Sequence, residues 1–485
     1  MTTWLAFDIG TTGAKAALID EHGRIVRSAF HDYPTHSAAG GIVEQSARDW
    51  WGATCASARE IDASSADAIV LTGQMQNVIL VDQDAQPIYP IILYSDTRAH
   101  AEAEAVNSLL GTDRLQQITG NEQGAGSLLA KLRWLSIYEP GTLTRAQYLL
   151  TGAADYIALQ LTNNAACDTT TVSTTGLMEL DARRWLVQAG MEAITRLFPD
   201  LVAGGSPVGE VHEIGALTMG VRAGIPVYLG PGDAGATTLG VGAGTPGVPY
   251  GYIGTSGWVA FTSLQRGDPA TGVFTLAHPA DDRYICVAPL LTAGGNLDWI
   301  KSVLAEETHA DLIDTALERQ PSDLIYLPYL NGERSPISDP FARGAFIGLS
   351  AGHTRADLAR AVLEGVAFAY RHALDTLVDA PIQRLVLTGG GTRALGWCQM
   401  IADVCGVEVA LDADAANVGI RGAVLAAQVA RGELQEYALP DRTAEAALLA
   451  PEDTFHTAYS RKYAFFREGY PALKNLFARM AKQNE

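Results

Sequence analysis

One short pattern, written twice, constrains this chain more than any other feature. Ile9-Gly10-Thr11-Thr12-Gly13-Ala14-Lys15-Ala16 returns as Ile253-Gly254-Thr255-Ser256-Gly257-Trp258-Val259-Ala260, half of the 485 residues later. Both copies read Ile-Gly-Thr-[Ser/Thr]-Gly-x-x-Ala. Each lies between β-rich runs, Trp4–Phe7 and Ala16–Ile19 in the first, Val248–Tyr252 and Val259–Phe261 in the second. Both therefore predict a hairpin whose turn is built of glycine and hydroxyl residues. Glycine lets successive backbone N–H groups converge on an anion, and the hydroxyls add donors. Self-similarity at this spacing predicts a duplicated fold that clamps a phosphate chain in the cleft between its halves. The copies differ one position upstream, where Asp8 is replaced by Tyr252. A carboxylate beside a phosphate loop is a natural ligand on the Mg²⁺ side, directly or through water.

A chain of 485 residues has room for two or three domains with large cores. Its net charge of −20 argues against nucleic acid and anionic membrane surfaces as partners. That charge still admits ATP, because local N–H groups and Mg²⁺ neutralise a triphosphate. The five cysteines are scattered and form no CxxC pair, which predicts a reducing cytoplasm, no disulfide framework and no structural zinc. The ten histidines show no metal-ligand spacing. The amino terminus reaches Asp8 with no basic stretch before it and reads as a core strand rather than a signal peptide. No run approaches the ~18 apolar residues of a membrane helix, so a soluble, cytoplasmic protein is expected.

Short Val/Ile/Leu runs alternate with Ala-rich segments, the α/β pattern. Ala68–Thr72, Val78–Asp82, Pro226–Gly230 and Leu385–Thr388 read as strands. Arg98–Leu109, Leu128–Tyr138, Tyr148–Leu161 and Leu395–Cys405 read as helices. A further helix, Leu358–Leu377, is opened by the capping-box pattern Thr354-Arg-Ala-Asp357. Gly240–Gly251 holds five glycines and two prolines in twelve residues and predicts the crossover between halves. It contains a GxGxxG, but Pro246 and Pro249 forbid the helix that a dinucleotide site requires. No GxxxxGK[ST] occurs, which excludes P-loop NTPases. Gly389-Gly390-Gly391, between a strand and a helix, either admits a flat ligand or a phosphate to the backbone or is simply a tight turn.

With these pieces in place, the chain resembles the FGGY carbohydrate kinases of the actin-like ATPase superfamily, from Asp8 to at least Ala427. Gly344-Ala-Phe-Ile-Gly-Leu349 followed by Asp357-Leu-Ala-Arg-Ala-Val-Leu-Glu364 fits the family's carboxy-terminal signature. The amino-terminal signature is matched in part, by Lys131-Leu-Arg-Trp134-Leu. Leu327–Pro336 and Asp339–Gly344 look most like the xylulokinase branch.

The resemblance implies two duplicated RNase H-like domains around a cleft, here 1–244 with the sugar site, the first phosphate loop and the catalytic aspartate, and 245–485 with the nucleotide site and the second loop. It implies ATP and Mg²⁺, a small-molecule sugar substrate and, by family analogy alone, a homodimer. Asp8 would stand on the metal side. Thr11, Thr12, Gly13 and Lys15 would hold the β- and γ-phosphates, with Gly254 and Thr255 opposite. Gly390 and Gly391 match the adenosine turn, and Gly294 and Asp298 another nucleotide-side segment.

Asp233, in Gly230-Pro-Gly-Asp-Ala-Gly-Ala236, matches the catalytic aspartate motif and is the candidate general base, with an ordinary pKa sufficing. Locally it also reads as a helix N-cap. Met75 matches the ketose-contacting Met-His pair, whereas Gln76 stands in place of the histidine. Asp96 and Arg98 read as an ion pair bracing that pocket. The expected reaction is phosphorylation of D-xylulose. The alternatives are another ketose such as ribulose, a polyol or an aldonate, and a non-catalytic actin-like ATP-binding switch.

Overall fold

A computed structural model of the chain describes residues 2–20, 22–187, 191–321, 323–378, 380–439 and 445–482. The expected hairpins form: Trp4–Ile9 pairs antiparallel with Gly13–Ile19, and Tyr250–Ile253 with Gly257–Ser263. Each hairpin nucleates a sheet. The first sheet has six strands, in the order 206–210, 226–229, 68–73, 4–9, 13–19, 25–32. Read from the opposite end, the second has seven: 445–449, 408–412, 384–388, 250–253, 257–263, 284–290 and 274–277.

The two sheets share one plan. An antiparallel edge strand precedes three parallel strands, of which the third opens the phosphate-loop hairpin, and a further antiparallel strand follows. The duplication therefore extends well beyond the motif that announced it. It reaches single glycines: a Cβ on Gly73 would lie 2.5 Å from the Ile9 carbonyl oxygen, and one on Gly389 would lie 2.6 Å from that of Ile253. Both glycines let the end of a parallel strand press against the entry to a phosphate loop.

The halves are joined by a pair of helices, Asp233–Gly240 and Val418–Ala430. At two glycines their backbones meet directly, while Leu239 packs against Leu425 and Ala426. A Cβ on Gly240 would stand 1.8 Å from the Val418 carbonyl oxygen, and one on Gly422 1.8 Å from that of Ala236. Val418–Ala430 also packs Ile420, Ala423, Val424 and Ala427 against Trp4, Ala6, Val70 and Tyr228 of the first sheet. Conversely, Val241 and Ala243 pack against Tyr250 and Ala260 of the second.

A second junction lies at the far end of the second sheet. There the outward backbone groups of edge strand Phe274–Ala277 are taken by side chains of the first half. Asn121 exchanges two 2.8 Å hydrogen bonds with Thr275, while the Ala277 carbonyl and N–H bind Thr170 Oγ1 (2.8 Å) and Ser173 Oγ (3.0 Å).

Leu128–Tyr138 and Leu395–Cys405 are helices with the expected bounds, and the Thr354/Asp357 capping box opens helix Arg355–Leu377. The single helix expected over Tyr148–Leu161 is instead a strand, Tyr148–Leu150, followed by a helix, Ala153–Thr162. The break is chemical: Asp155 Oδ2 accepts from the N–H groups of Thr151 (3.0 Å) and Gly152 (2.7 Å), so the helix starts after them. Freed from the helix, Tyr148–Leu150 pairs with Ile79–Val81. No helix of the described residues is long and apolar enough to cross a membrane.

Candidate active site

A cleft of about 550 Å³ opens between the halves, lined by Asp8, Gly10, Thr11, Met75, Gln76 and Asp233 from the first, and by Tyr252, Ser256, Trp258, Phe274 and Thr388 from the second. Most of these residues stand at or just beyond the carboxyl ends of central strands, where open α/β sheets place their ligands.

The first loop is held from below. Gly10 N–H donates to the Gly13 carbonyl (3.0 Å), Gln45 Nε2 to the Thr11 carbonyl (2.7 Å), and Tyr33 OH to the Gly10 carbonyl. Gln45 is in turn fixed by Trp50 Nε1 (2.9 Å) and Gln74 Nε2 (3.0 Å). Thr12 is exposed. Gly13 faces inward, and a Cβ there would meet the Phe30 ring at 2.4 Å, so this glycine is demanded by strand packing. Lys15 reaches across to donate to the Ala416 carbonyl of the second half.

The second loop is laced to the start of helix Gly295–Leu304. The N–H groups of Ala293 and Gly295 donate to the Thr255 carbonyl (2.9 Å each), and that of Gly294 to the Gly254 carbonyl (2.8 Å). A Cβ on Gly294 would lie 2.6 Å from that same oxygen, which explains the glycine. Gly391 packs on Ile253, whereas a Cβ on Gly390 would meet nothing within 4 Å, leaving that backbone open to approach. Asp298, one turn into its helix, is exposed and bonded to His309 (2.7 Å). Of the predicted nucleotide residues only Thr11 lines the cleft; Thr12, Gly13, Lys15, Gly254, Thr255, Gly294, Asp298, Gly390 and Gly391 do not.

Asp233 is the first residue of helix Asp233–Gly240, with Gly232 at the cap position, and its Oδ1 accepts from Ala234 N–H (2.7 Å). Burial pushes the Asp233 carboxyl up to about 7, reinforced by the like charges of Asp8 and Asp168. Asp8 is also raised by burial, offset by the Lys15 ammonium. The Asp8 carboxylate is a donor that suits a divalent cation whose remaining ligands are phosphate oxygens and water. Among the described residues no group of three or more His, Cys, Asp or Glu could hold a metal by itself.

In the same cleft, close to the turn that carries Asp233, Met75 packs with Leu276 and Ile285. Gln76 adopts a positive φ of 59° and donates its amide to the Thr174 carbonyl (2.8 Å). Asp96 and Arg98 act as the expected brace. Asp96 accepts from Val43 N–H (2.6 Å) and Arg98 Nε (2.9 Å), and Arg98 also binds Glu44 (2.7 Å) and lies over Trp134. Buried Lys131, held down to about 7 by desolvation, donates to the Leu93 carbonyl (2.6 Å) and so supports the strand end that presents Tyr94 to the cleft.

Sequence reading missed Tyr94, Thr174, Trp258, Phe274, Leu276 and Thr388 as lining residues. Only Trp258 and Thr388 carried a usable signal, one inside the repeated motif and the other at a strand end before the glycine triplet.

Known proteins resemble this chain along most of its length. The chain is 27% identical to a xylulose kinase of Staphylococcus epidermidis across 98% of this chain and 97% of that protein. It is 29% identical to a gluconokinase of Bacillus subtilis across 84% of each. The crystal structure of a xylulose kinase from Brucella ovis superposes with a TM-score of 0.90 at 29% identity, covering 98% of this chain and 100% of that one. Residues 3–240 match the N-terminal domain of the FGGY family of carbohydrate kinases and residues 250–431 its C-terminal domain, so the chain belongs to that family and is an ATP-using sugar kinase.

Proposed function

We propose that the chain transfers the γ-phosphoryl group of ATP to a hydroxyl of D-xylulose, giving D-xylulose 5-phosphate. The observation that carries this reading is the convergence of Asp233, Asp8 and residues of both hydroxyl-glycine turns on one interdomain cleft, which also presents Met75 and Gln76. Full-length similarity to proteins named xylulose kinase supports the acceptor. The gluconokinase relative, together with a glutamine at position 76, supports an aldonate as the second reading.

In this proposal Asp233 accepts the proton of the attacking hydroxyl. Phosphoryl transfer has a loose transition state, so positioning and charge neutralisation carry most of the catalysis and the proton leaves late. Thr11, Thr12, Gly13 and Lys15 hold the β- and γ-phosphates from one side, Gly254 and Thr255 from the other. Gly294, Asp298, Gly390 and Gly391 border the nucleoside. Asp8 holds Mg²⁺, which when bound neutralises the phosphate oxygens. The division falls at residues 244 and 245, and closure of the halves excludes water as a competing acceptor.

An ADP-release assay with Mg·ATP against D-xylulose, D-ribulose, L-ribulose, L-xylulose, glycerol and gluconate tests the acceptor. D-Xylulose should give the largest kcat/KM, and a larger value for another member would move the assignment to it. Lys15→Ala removes a charged donor and should raise the KM for ATP about ten- to a hundredfold, leaving the sugar KM within threefold. A selective change in sugar KM would contradict its placement.

The elevated proton affinity of Asp233 sets the pH profile. The ionised form is the base, so kcat/KM for sugar should rise with pH along an acid limb near pH 7. A limb below pH 5 would mean that the titrating base is an ordinary, solvated carboxylate.

A further inference from the structure

Phosphoryl transfer through Asp233 leaves a second acid beside it without a task. Asp168 closes strand Ala166–Asp168 and is fully buried. Its Oδ1 accepts from the N–H groups of Thr171 (3.0 Å) and Gly232 (3.3 Å), while its Oδ2 is buried with no hydrogen-bond partner among the described residues. An asparagine could serve the same two N–H groups with its amide oxygen at far lower desolvation cost. A full carboxylate here is therefore expensive in stability terms.

The bond to Gly232 has a specific location. The turn leading into Asp233 is otherwise held by neutral groups: Gly230 N–H on the Leu71 carbonyl (2.8 Å) and Thr72 Oγ1 on the Pro231 carbonyl (2.7 Å). Gly232 itself is wedged, since a Cβ there would lie 2.4 Å from both Met75 Cγ and Thr171 Oγ1. The candidate base, its turn, the sugar-end methionine and the Asp168 carboxylate thus form one packed unit.

We propose that Asp168 is a positioning residue for phosphoryl transfer: its carboxylate fixes the Gly232 N–H that aims Asp233 and, through Thr171 and Gly232, the seat of Met75. This rests on the reading of Asp233 as the base.

The test uses full-length Asp168→Asn and Asp168→Ala with Mg·ATP and D-xylulose, measuring kcat, both KM values and thermal melting. Asparagine keeps the acceptor and removes the charge. Its kcat at pH 8 should stay within about fivefold of the parent, with both KM values within threefold. Alanine removes both and should lower kcat by about a hundredfold, with the KM for ATP within threefold and melting still cooperative.

A folded alanine variant with parental kcat would overturn the proposal, as would a folded asparagine variant as slow as alanine. If the alanine variant does not fold, Asp168→Ser, whose hydroxyl can still cap the Thr171 N–H, takes its place under the same criteria. Asp233→Asn, run in parallel, separates the two levels. Turnover retained there defeats the base assignment itself, whereas an inactive Asp233→Asn beside a folded Asp168→Ala with parental kcat defeats only the role of Asp168.

Discussion

Asp233→Asn is expected to lower kcat by about two to four orders of magnitude and, at pH 8, to raise the melting temperature. The two effects have one origin. The unfolded chain ionises this aspartate near its ordinary value, whereas burial and the neighbouring carboxylates push it up to about 7 in the folded state. Its ionisation is therefore penalised by the fold. The group costs nothing below the ordinary pKa, costs progressively more as pH rises towards 7, and costs a few kcal/mol above that, at ~1.4 kcal/mol per unit.

An amide of the same shape removes both the base and the penalty. The variant should thus be more stable than the parent at pH 8, with the gain shrinking at pH 5.5. Binding of ATP, followed by calorimetry, should change by less than threefold. Turnover near the parental value would remove Asp233 from the mechanism, and a melting temperature that falls at pH 8 would show that its carboxylate is a net stabiliser.

Gly422→Ala is expected to be the most damaging single methyl addition to the fold. The new Cβ would stand 1.8 Å from the Ala236 carbonyl oxygen and 2.7 Å from Gly240 N. Those are backbone atoms, which cannot rotate away, so the two helices would have to part. Overpacking of this kind costs about 1–3 kcal/mol and more where backbone must move.

The damage should also reach the chemistry. One helix begins at Asp233, and the other begins at Val418-Gly419 beside Asp8. Either the protein fails to accumulate in soluble form, or it melts several degrees lower with kcat reduced at least tenfold. Gly52→Ala is the control. It lies on helix Ala47–Glu60 with nothing within 4 Å of the added carbon and should raise stability by up to ~1 kcal/mol. Equal melting temperatures for Gly422→Ala and the parent would mean that the helices can separate at no cost.

Much of the fold was legible because its signals are local. A glycine-hydroxyl turn between two β runs specifies a hairpin on either side, and the repeat announces two such hairpins. In the structure Ser127 caps the start of helix Leu128–Tyr138 and Gly406 the end of helix Leu395–Cys405, local chemistry at bounds that apolar patterning already suggested. Tyr148–Leu161 was misread because apolar periodicity alone does not separate a buried strand from the helix behind it. The separation lies in the Gly152–Asp155 start signal.

In the cleft, Asp8 and Thr11 were legible from the phosphate-loop pattern, whereas Met75, Gln76 and Asp233 were legible chiefly through the family resemblance. Tyr94, Thr174, Phe274 and Leu276 reach the same space only through tertiary packing, and no spacing in the chain records that. The glycines carry two messages at once. Gly13 and Gly391 read as anion-binding positions, yet each also has a neighbour, Phe30 or Ile253, that leaves no room for a side chain.

The strand Phe274–Ala277 has a consequence for how molecules of this protein meet. An edge strand ordinarily offers a row of free N–H and C=O groups, a template on which a strand of another chain can polymerise. Here Asn121, Thr170 and Ser173 already occupy the outward groups of Thr275 and Ala277. The larger sheet is terminated by side chains of its own polypeptide, and a foreign strand could add at that edge only by first displacing four hydrogen bonds.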